Sequence, residues 1–202
     1  MDEKLLLMIN QGWASSWLDP FFIWVSDKAT FSAPLLLIIL GISLRAFKKD
    51  GVKFWLLLLA VILFGDLMGN IIKHIAGQAR PCFDAAGLVR LPWDHDGNAC
   101  RGNLNGMPSN HALNFFATAV FVMAVTGIRL WGIVLLGIAV LVSLSRIYLA
   151  KHYPSQVLAG AALGAATGYL AAWAGIKYFG FINRIHAQRP FNNKGNHKAH
   201  DC

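Results

Sequence analysis

The feature that most restricts this chain is its series of long apolar runs. Residues 54–75, 130–148 and 155–179 are almost unbroken hydrocarbon, and 32–48 and 110–127 are shorter runs of the same kind. An α-helix needs about 20 such residues to cross a bilayer, and every backbone N–H and C=O inside it must be paired within the helix. Hydrophobic residues make up 56% of the 202 and charged ones 14%, more apolar sequence than a soluble domain of this length uses. The expected fold is therefore an all-α integral membrane protein. It is a bundle of about five to six transmembrane helices with an N-terminal interfacial helix, a sixth span arising if residues 17–47 cross differently.

The N-terminal region, residues 1–30, reads as interfacial. Trp13 and Trp17 suit the headgroup layer, and the run Phe21 to Val25 is closed by Asp27 and Lys28 before it can span. Asp19-Pro20 reads as an N-cap and first helical position, and Ser32 and Pro34 as the start of the next helix. Asp2 and Glu3 do not fit the basic start of a secretory leader. Asp66 and Asn70 fall inside an apolar run and require partners in the bundle. Gly160, Gly164 and Gly168 recur every four residues, a small face for close helix packing.

The net charge of +8 is scattered between apolar runs, which suits loops and lipid headgroups and argues against nucleic acid as a partner. In a five-span arrangement the basic turns at 45–53 and 129 and the basic, mobile tail 183–202 share one side, which the positive-inside rule makes cytoplasmic. The polar loop 77–108 and the turn 149–154 then lie outside. Arg80, Arg90, Arg101 and Lys151 on that outer side break the rule and call for a functional reason.

Three polar clusters border the spans at this outer side. In the first, Lys73 and Arg80 are two helical turns apart and share a face if the helix continues that far; a guanidinium fork and an ammonium suit phosphate oxygens. The second, Pro108-Ser109-Asn110-His111, opens a helix, where free N–H groups and the positive dipole end favour an anion. The Ser109 hydroxyl can cap that helix and donate to phosphate, and His111 can act as a general acid. The third runs from Ser145-Arg146 to Lys151-His152 and on to Gln156. Arg146 is a further clamp, His152 a candidate nucleophile toward phosphorus, and Gln156 an acceptor that can hold its other ring nitrogen. No carboxylate or Cys/His grouping suggests a metal, and no cofactor is expected.

These three clusters resemble the type 2 phosphatidic acid phosphatase (PAP2) superfamily of membrane lipid phosphatases, whose motifs are K-x6-RP, PSGH and SR-x5-H-x3-D. The resemblance covers about residues 54–175, within one domain spanning 1–182. It implies that His152 attacks phosphorus to give a phosphohistidine and that His111 protonates the leaving oxygen. It also implies that Lys73, Arg80, Ser109, Asn110 and Arg146 hold the phosphate without metal. The expected substrate is a lipid phosphate or diphosphate, undecaprenyl diphosphate first, met at the outer face of a bacterial inner membrane. The alternatives are a phosphotransferase using the same intermediate and a low-activity lipid-binding variant.

Two positions depart from the motifs. Asn110 stands where the family has glycine, and Gln156 where it has aspartate. A neutral amide accepts the ring N–H but does not stabilise an imidazolium, and losing the acidic member of a triad costs up to roughly 10⁴ in rate. A Gln156→Asp change is therefore expected to raise activity. Cys82 and Cys100 bracket part of the outer loop and are expected to form a disulfide there. Leu91 and Trp93 in that loop either contact lipid or tether the loop.

Overall fold

A computed structural model describes residues 1–47, 50–93 and 105–180. Among them the regular structure is helical throughout: α1 (Asp2–Asn10), α2 (Leu18–Ser26), a π-helical turn (Lys28–Ser32), α3 (Ala33–Phe47), α4 (Gly51–Ala76), α5 (Pro81–Asp84), α6 (Asn110–Thr126), α7 (Arg129–Tyr148) and α8 (Pro154–Phe179). The tail 183–202, Cys100 and Arg101 lie outside the described residues.

The helices that begin at Gly51, Arg129 and Pro154 are each long and apolar enough to cross a membrane. Helices Leu18–Ser26 and Lys28–Gly41, bent by 72° to one another, supply a fourth if they form one broken span. Helix α6, 17 residues long, is about 26 Å at the α-helical rise, short of a typical hydrocarbon core. It is the axis of the bundle all the same, packed against α4, α7 and α8. Phe121, Ala117 and Val125 on α6 meet Phe54 and Leu58 of α4 in a buried cluster, with the Phe54 and Phe121 rings 5.3 Å apart.

The glycine series of α8 lies against α6. A Cβ at Gly160, Gly164 or Gly168 would run into the carbonyl oxygens of Ser109, Leu113 and Ala117, themselves four residues apart. The two backbones therefore touch, and nothing but hydrogen fits between them.

The N-terminal region departs from a single interfacial helix. Helix α1 packs on α7 and α8 with Leu6 and Asn10 fully buried. The Asn10 amide donates to the carbonyls of Tyr148 (2.6 Å) and Arg90 (2.9 Å) and accepts from the Arg90 N–H (2.8 Å), so one side chain fastens α1 to the end of α7 and to the outer loop. Helix α2 starts at Leu18, ahead of the Asp19-Pro20 pair. Helix α3 starts at Ala33, between Ser32 and Pro34, and the π-helical turn that leads into it is capped by Asp27. Its carboxylate accepts from the Ala29 (2.9 Å) and Thr30 (2.7 Å) amides and the Thr30 hydroxyl (2.9 Å), satisfying donors that a helix start leaves open.

Candidate active site

At one end of the bundle, where α4 and α7 finish and α6 and α8 begin, backbone hydrogen bonds tie the segments together. The Cys82 N–H donates to the Ala150 carbonyl (3.2 Å), Gly106 to Gln78 (2.7 Å) and Ser109 to Gln156 (3.0 Å). All three sequence clusters are thereby held at one end of the bundle. The first is not one continuous helical face. Gly77 ends α4 in the left-handed region (φ 53°), and Pro81 keeps Arg80 extended (φ −93°, ψ 154°), so Arg80 reaches the site from a turn and not from two turns up the helix.

The turn that carries His152 is set by Ala150, which takes φ 52°, a left-handed value that costs an L-residue about 1 kcal/mol. That conformation folds the chain back so that the Lys151 (2.9 Å) and His152 (3.1 Å) amides both donate to the Arg146 carbonyl. His152 is 2% exposed and Gln156 1%. His152 Nδ1 donates to the Gly106 carbonyl at 2.7 Å, with Gln156 Oε1 at 3.3 Å. The carbonyl oxygen can only accept, so the proton sits on Nδ1 and Nε2 keeps its lone pair. Burial first, and then the Arg146 and Arg80 cations, push the imidazole pKa well below the usual histidine value. His152 is thus a neutral imidazole beside a cationic pocket.

Gln156 serves as more than a partner for histidine. Its Oε1 accepts from the Tyr153 N–H (3.1 Å) at the head of α8, and its Nε2 donates to the Ala79 carbonyl (2.8 Å). A carboxylate could make the first of these contacts and not the second. Gly106 fits only as glycine, because a Cβ would overlap the Gln156 amide and the Ala79 carbonyl.

Asn110, in the position of a motif glycine, has a side chain that links three groups. Its Oδ1 accepts from Lys73 Nζ (2.7 Å), and its Nδ2 donates to Asp66 Oδ1 (3.1 Å) and Asn70 Oδ1 (3.3 Å). Asn114 Nδ2 also donates to Asp66 (2.9 Å). Asp66 and Asn70 find their partners on α6, and Gly69 is the clearance that admits the Asn110 amide.

Around His152 several buried polar atoms have no partner: Arg80 Nε, Arg146 Nε, Ser109 Oγ and His111 Nε2. Ser109 is the N-cap of α6, yet its hydroxyl makes no cap bond. An unpaired buried group costs about 1–3 kcal/mol. Four of them from three chain segments, the turn at Arg80, the head of α6 and the end of α7, form a donor-rich group that an oxyanion can satisfy. Arg146, 6% exposed, has one further contact, from Nη1 to the Ser26 hydroxyl of α2.

Lys151 lies 4.4 Å over the Trp93 ring, and Trp93 Nε1 donates to the Leu149 carbonyl (2.8 Å). Trp93 therefore tethers the outer loop. Burial, followed by Arg146 and Arg80, brings the Lys151 pKa down to about 8. Arg90 breaks the charge rule for a structural reason, donating to Asp19 at 2.7 Å. Cys82 is buried and disulfide-bonded, and Cys100 lies outside the described residues. No group of three or more His, Cys, Asp or Glu side chains that could hold a metal occurs among the described residues.

Lys73, Arg80, Ser109, Asn110, His111, Arg146, His152 and Gln156 all fall at this end of the bundle. Two contributors were not visible beforehand. The Gly106 carbonyl is main chain in a glycine-rich loop and has no side-chain signature. Ser26 reaches Arg146 because α2 packs against α7.

The family model of the PAP2 superfamily matches residues 53–178. A lipid A 4'-phosphatase of Bacteroides thetaiotaomicron is 30% identical over 96% of this chain and 84% of its own length. A lipid A 4'-phosphatase of Porphyromonas gingivalis is 23% identical over 84% of this chain and 70% of its own. The crystal structure of a transmembrane PAP2 type phosphatidylglycerolphosphate phosphatase from Bacillus subtilis superposes with a TM-score of 0.62 at 24% identity, covering 87% of both chains. This chain belongs to the PAP2 superfamily and is a multi-pass membrane lipid phosphatase.

Proposed function

We propose that the chain removes a phosphate from a membrane lipid through a phosphohistidine intermediate at the outer face of a bacterial inner membrane. The observation that carries this reading is the pairing of a neutral His152, its Nδ1 occupied and its Nε2 free, with unpartnered donors on Arg80, Arg146, Ser109 and His111. In the first step the Nε2 lone pair forms a bond to phosphorus and the bond from phosphorus to the lipid oxygen breaks. His111 gives its proton to that oxygen. In the second step water attacks phosphorus, His111 takes the proton, and the P–N bond breaks to release inorganic phosphate. Lys73, Arg80 and Arg146 balance the charge on the transferring group, so no metal is required.

The names of the relatives favour a phosphate monoester on a glycolipid such as lipid A over undecaprenyl diphosphate as substrate. The test is phosphate release across a panel of lipids by wild type, His152→Ala and Gln156→Asp. His152→Ala is expected to lose at least roughly 10⁴ of the rate, as removal of a covalent nucleophile does. Retained turnover in that variant sinks the phosphohistidine. Gln156→Asp is expected to gain activity by charging the histidine, less the cost of leaving the Ala79 carbonyl unpaired.

A further inference from the structure

The turn that carries His152 is held by a helix far from it in sequence. Helix α1 precedes the residues that match the family model, 53–178, yet it touches the third cluster on both sides of its turn. On one side Asn10 Nδ2 donates to the Tyr148 carbonyl (2.6 Å), where α7 finishes. On the other, the Asp2 carboxylate accepts from the Ser155 N–H (2.9 Å) and the Ser155 hydroxyl (2.5 Å), where α8 begins. Between these contacts Leu6 and Ile9 are buried in one cluster with Tyr148, Leu149, Ala150 and Val157. Asp2 and Asn10 are about 12 Å apart at the α-helical rise, so one rigid rod bridges the turn from flank to flank.

The turn needs such support. Ala150 is held at φ 52°, and a strained residue persists only where its surroundings over-determine it. The head of α8 matters as much. Gln156 follows Ser155 directly; its side chain lies against His152 Nδ1, and its carbonyl accepts from Ser109, the N-cap of α6. A shift of that head moves the imidazole relative to the Gly106 carbonyl and to the donors around it. Asp2 suits the task chemically. The first turn of a helix leaves N–H groups without partners and carries the positive end of the dipole, and a carboxylate there answers both.

We propose, resting on the phosphohistidine reading, that α1 braces the turn carrying His152 and that Asp2 is a positioning residue, acting through the head of α8 on the aim of the imidazole. Lys73 and Arg80 stand on α4 and the turn after it, and Arg146 is fastened to Ser26. Phosphate binding therefore survives a loosened brace, while the rate of attack, which depends on alignment, falls.

The experiment uses the full chain in detergent micelles with phosphatidic acid, phosphatidylglycerol phosphate and lipid A, following phosphate release from the one that wild type turns over fastest. Asp2→Ala is expected to lower kcat about tenfold with KM within about twofold of wild type. Ser155→Ala, which removes half of the same contact, is expected to give a smaller loss in the same direction, and the double variant to be no worse than Asp2→Ala. Asp2→Asn keeps an acceptor for the N–H and offers a donor to the hydroxyl, and is expected to restore kcat to near wild type. Lys4→Ala, exposed on the same helix, is expected to match wild type. A wild-type kcat in Asp2→Ala, even with a lowered melting temperature, overturns the inference. So does a loss confined to KM, one that Asp2→Asn fails to rescue, or one that Lys4→Ala shares. Those results leave the phosphohistidine reading standing. Turnover retained in His152→Ala, or release from none of the three lipids by wild type, removes that reading and this inference with it.

Discussion

The two sides of α6 are built on opposite terms. Toward α8 the helices meet backbone to backbone, with Gly160, Gly164 and Gly168 against three carbonyls. Toward α3 a cavity opens, and α3 itself carries Leu37 and Ile38 more than half exposed. Apolar residues occur on both sides, so hydrophobicity alone does not set the spacing. Size does. Small residues let the α6–α8 seam close without a void, while the branched side chains of α3 hold it at a distance. His152 and Gln156 hang from the closed side, through the head of α8; the cavity lies on the open side. In the proposed reaction the attacking group needs fixed geometry and a long lipid needs room, and the bundle offers a tight seam on one side and a cavity on the other.

The largest effect that this contrast predicts comes from filling the closed side. Gly164→Leu forces a side chain into the Leu113 carbonyl and is expected to cost about 3 kcal/mol or more, read as loss of the folded form in detergent thermal unfolding. The same size increase at Gly137, where nothing lies within 4 Å of the added atom, is expected to leave the melting temperature near wild type. Similar losses at both positions would remove the contrast.

Gln156→Glu comes next. It keeps the length that reaches Tyr153 and His152 and adds a charge. The wild-type imidazole pKa is depressed by burial and by Arg146 and Arg80, so the acid limb of kcat/KM is expected below the usual histidine value of 6.5. A carboxylate favours the imidazolium and raises that pKa. The limb should then move to higher pH, with the plateau rate up about tenfold. A limb that stays in place would mean that the Gly106 carbonyl alone governs the tautomer.

On the open side, Leu36→Trp narrows the cavity. It is expected to lower kcat/KM for a long-chain lipid phosphate several-fold more than for a short, water-soluble phosphate ester, roughly the 1–2 kcal/mol of a poorly fitted apolar pocket. The smallest effect is Ala150→Gly, which relieves the left-handed strain and is expected to raise stability by at most about 1 kcal/mol with little change in rate.

The spans and the site were legible in the sequence to different depths, for physical reasons. Apolar runs state their own environment, so α4, α7 and α8 could be placed to within a few residues. The cations and histidines of the site were readable because charge beside a span is costly and therefore purposeful. The demand of Asp66 and Asn70 for partners was readable too, although which residue would answer it was not. Asn110 showed in the sequence only as a departure from the motif glycine, and its role between Lys73 and Asp66 depends on Gly69, 41 positions earlier in sequence. The π-helical turn ahead of α3 was not foreseen, because it depends on the Asp27 carboxylate taking the open amides of Ala29 and Thr30. The cavity could not be foreseen at all, because it belongs to the distance between three helices and to no run of residues.

The acceptor for His152 is a main-chain oxygen, and that has a bearing on how this enzyme can change. A carboxylate partner is erased by one codon; the Gly106 carbonyl survives any replacement that spares the path of the loop. Its weak point is spacing, since an inserted or deleted residue between Ala79 and Ser109 would carry the oxygen away while every recognisable motif stayed intact. Relatives that differ here in loop length, and not in letters, are the ones whose matching histidine must be held by something else.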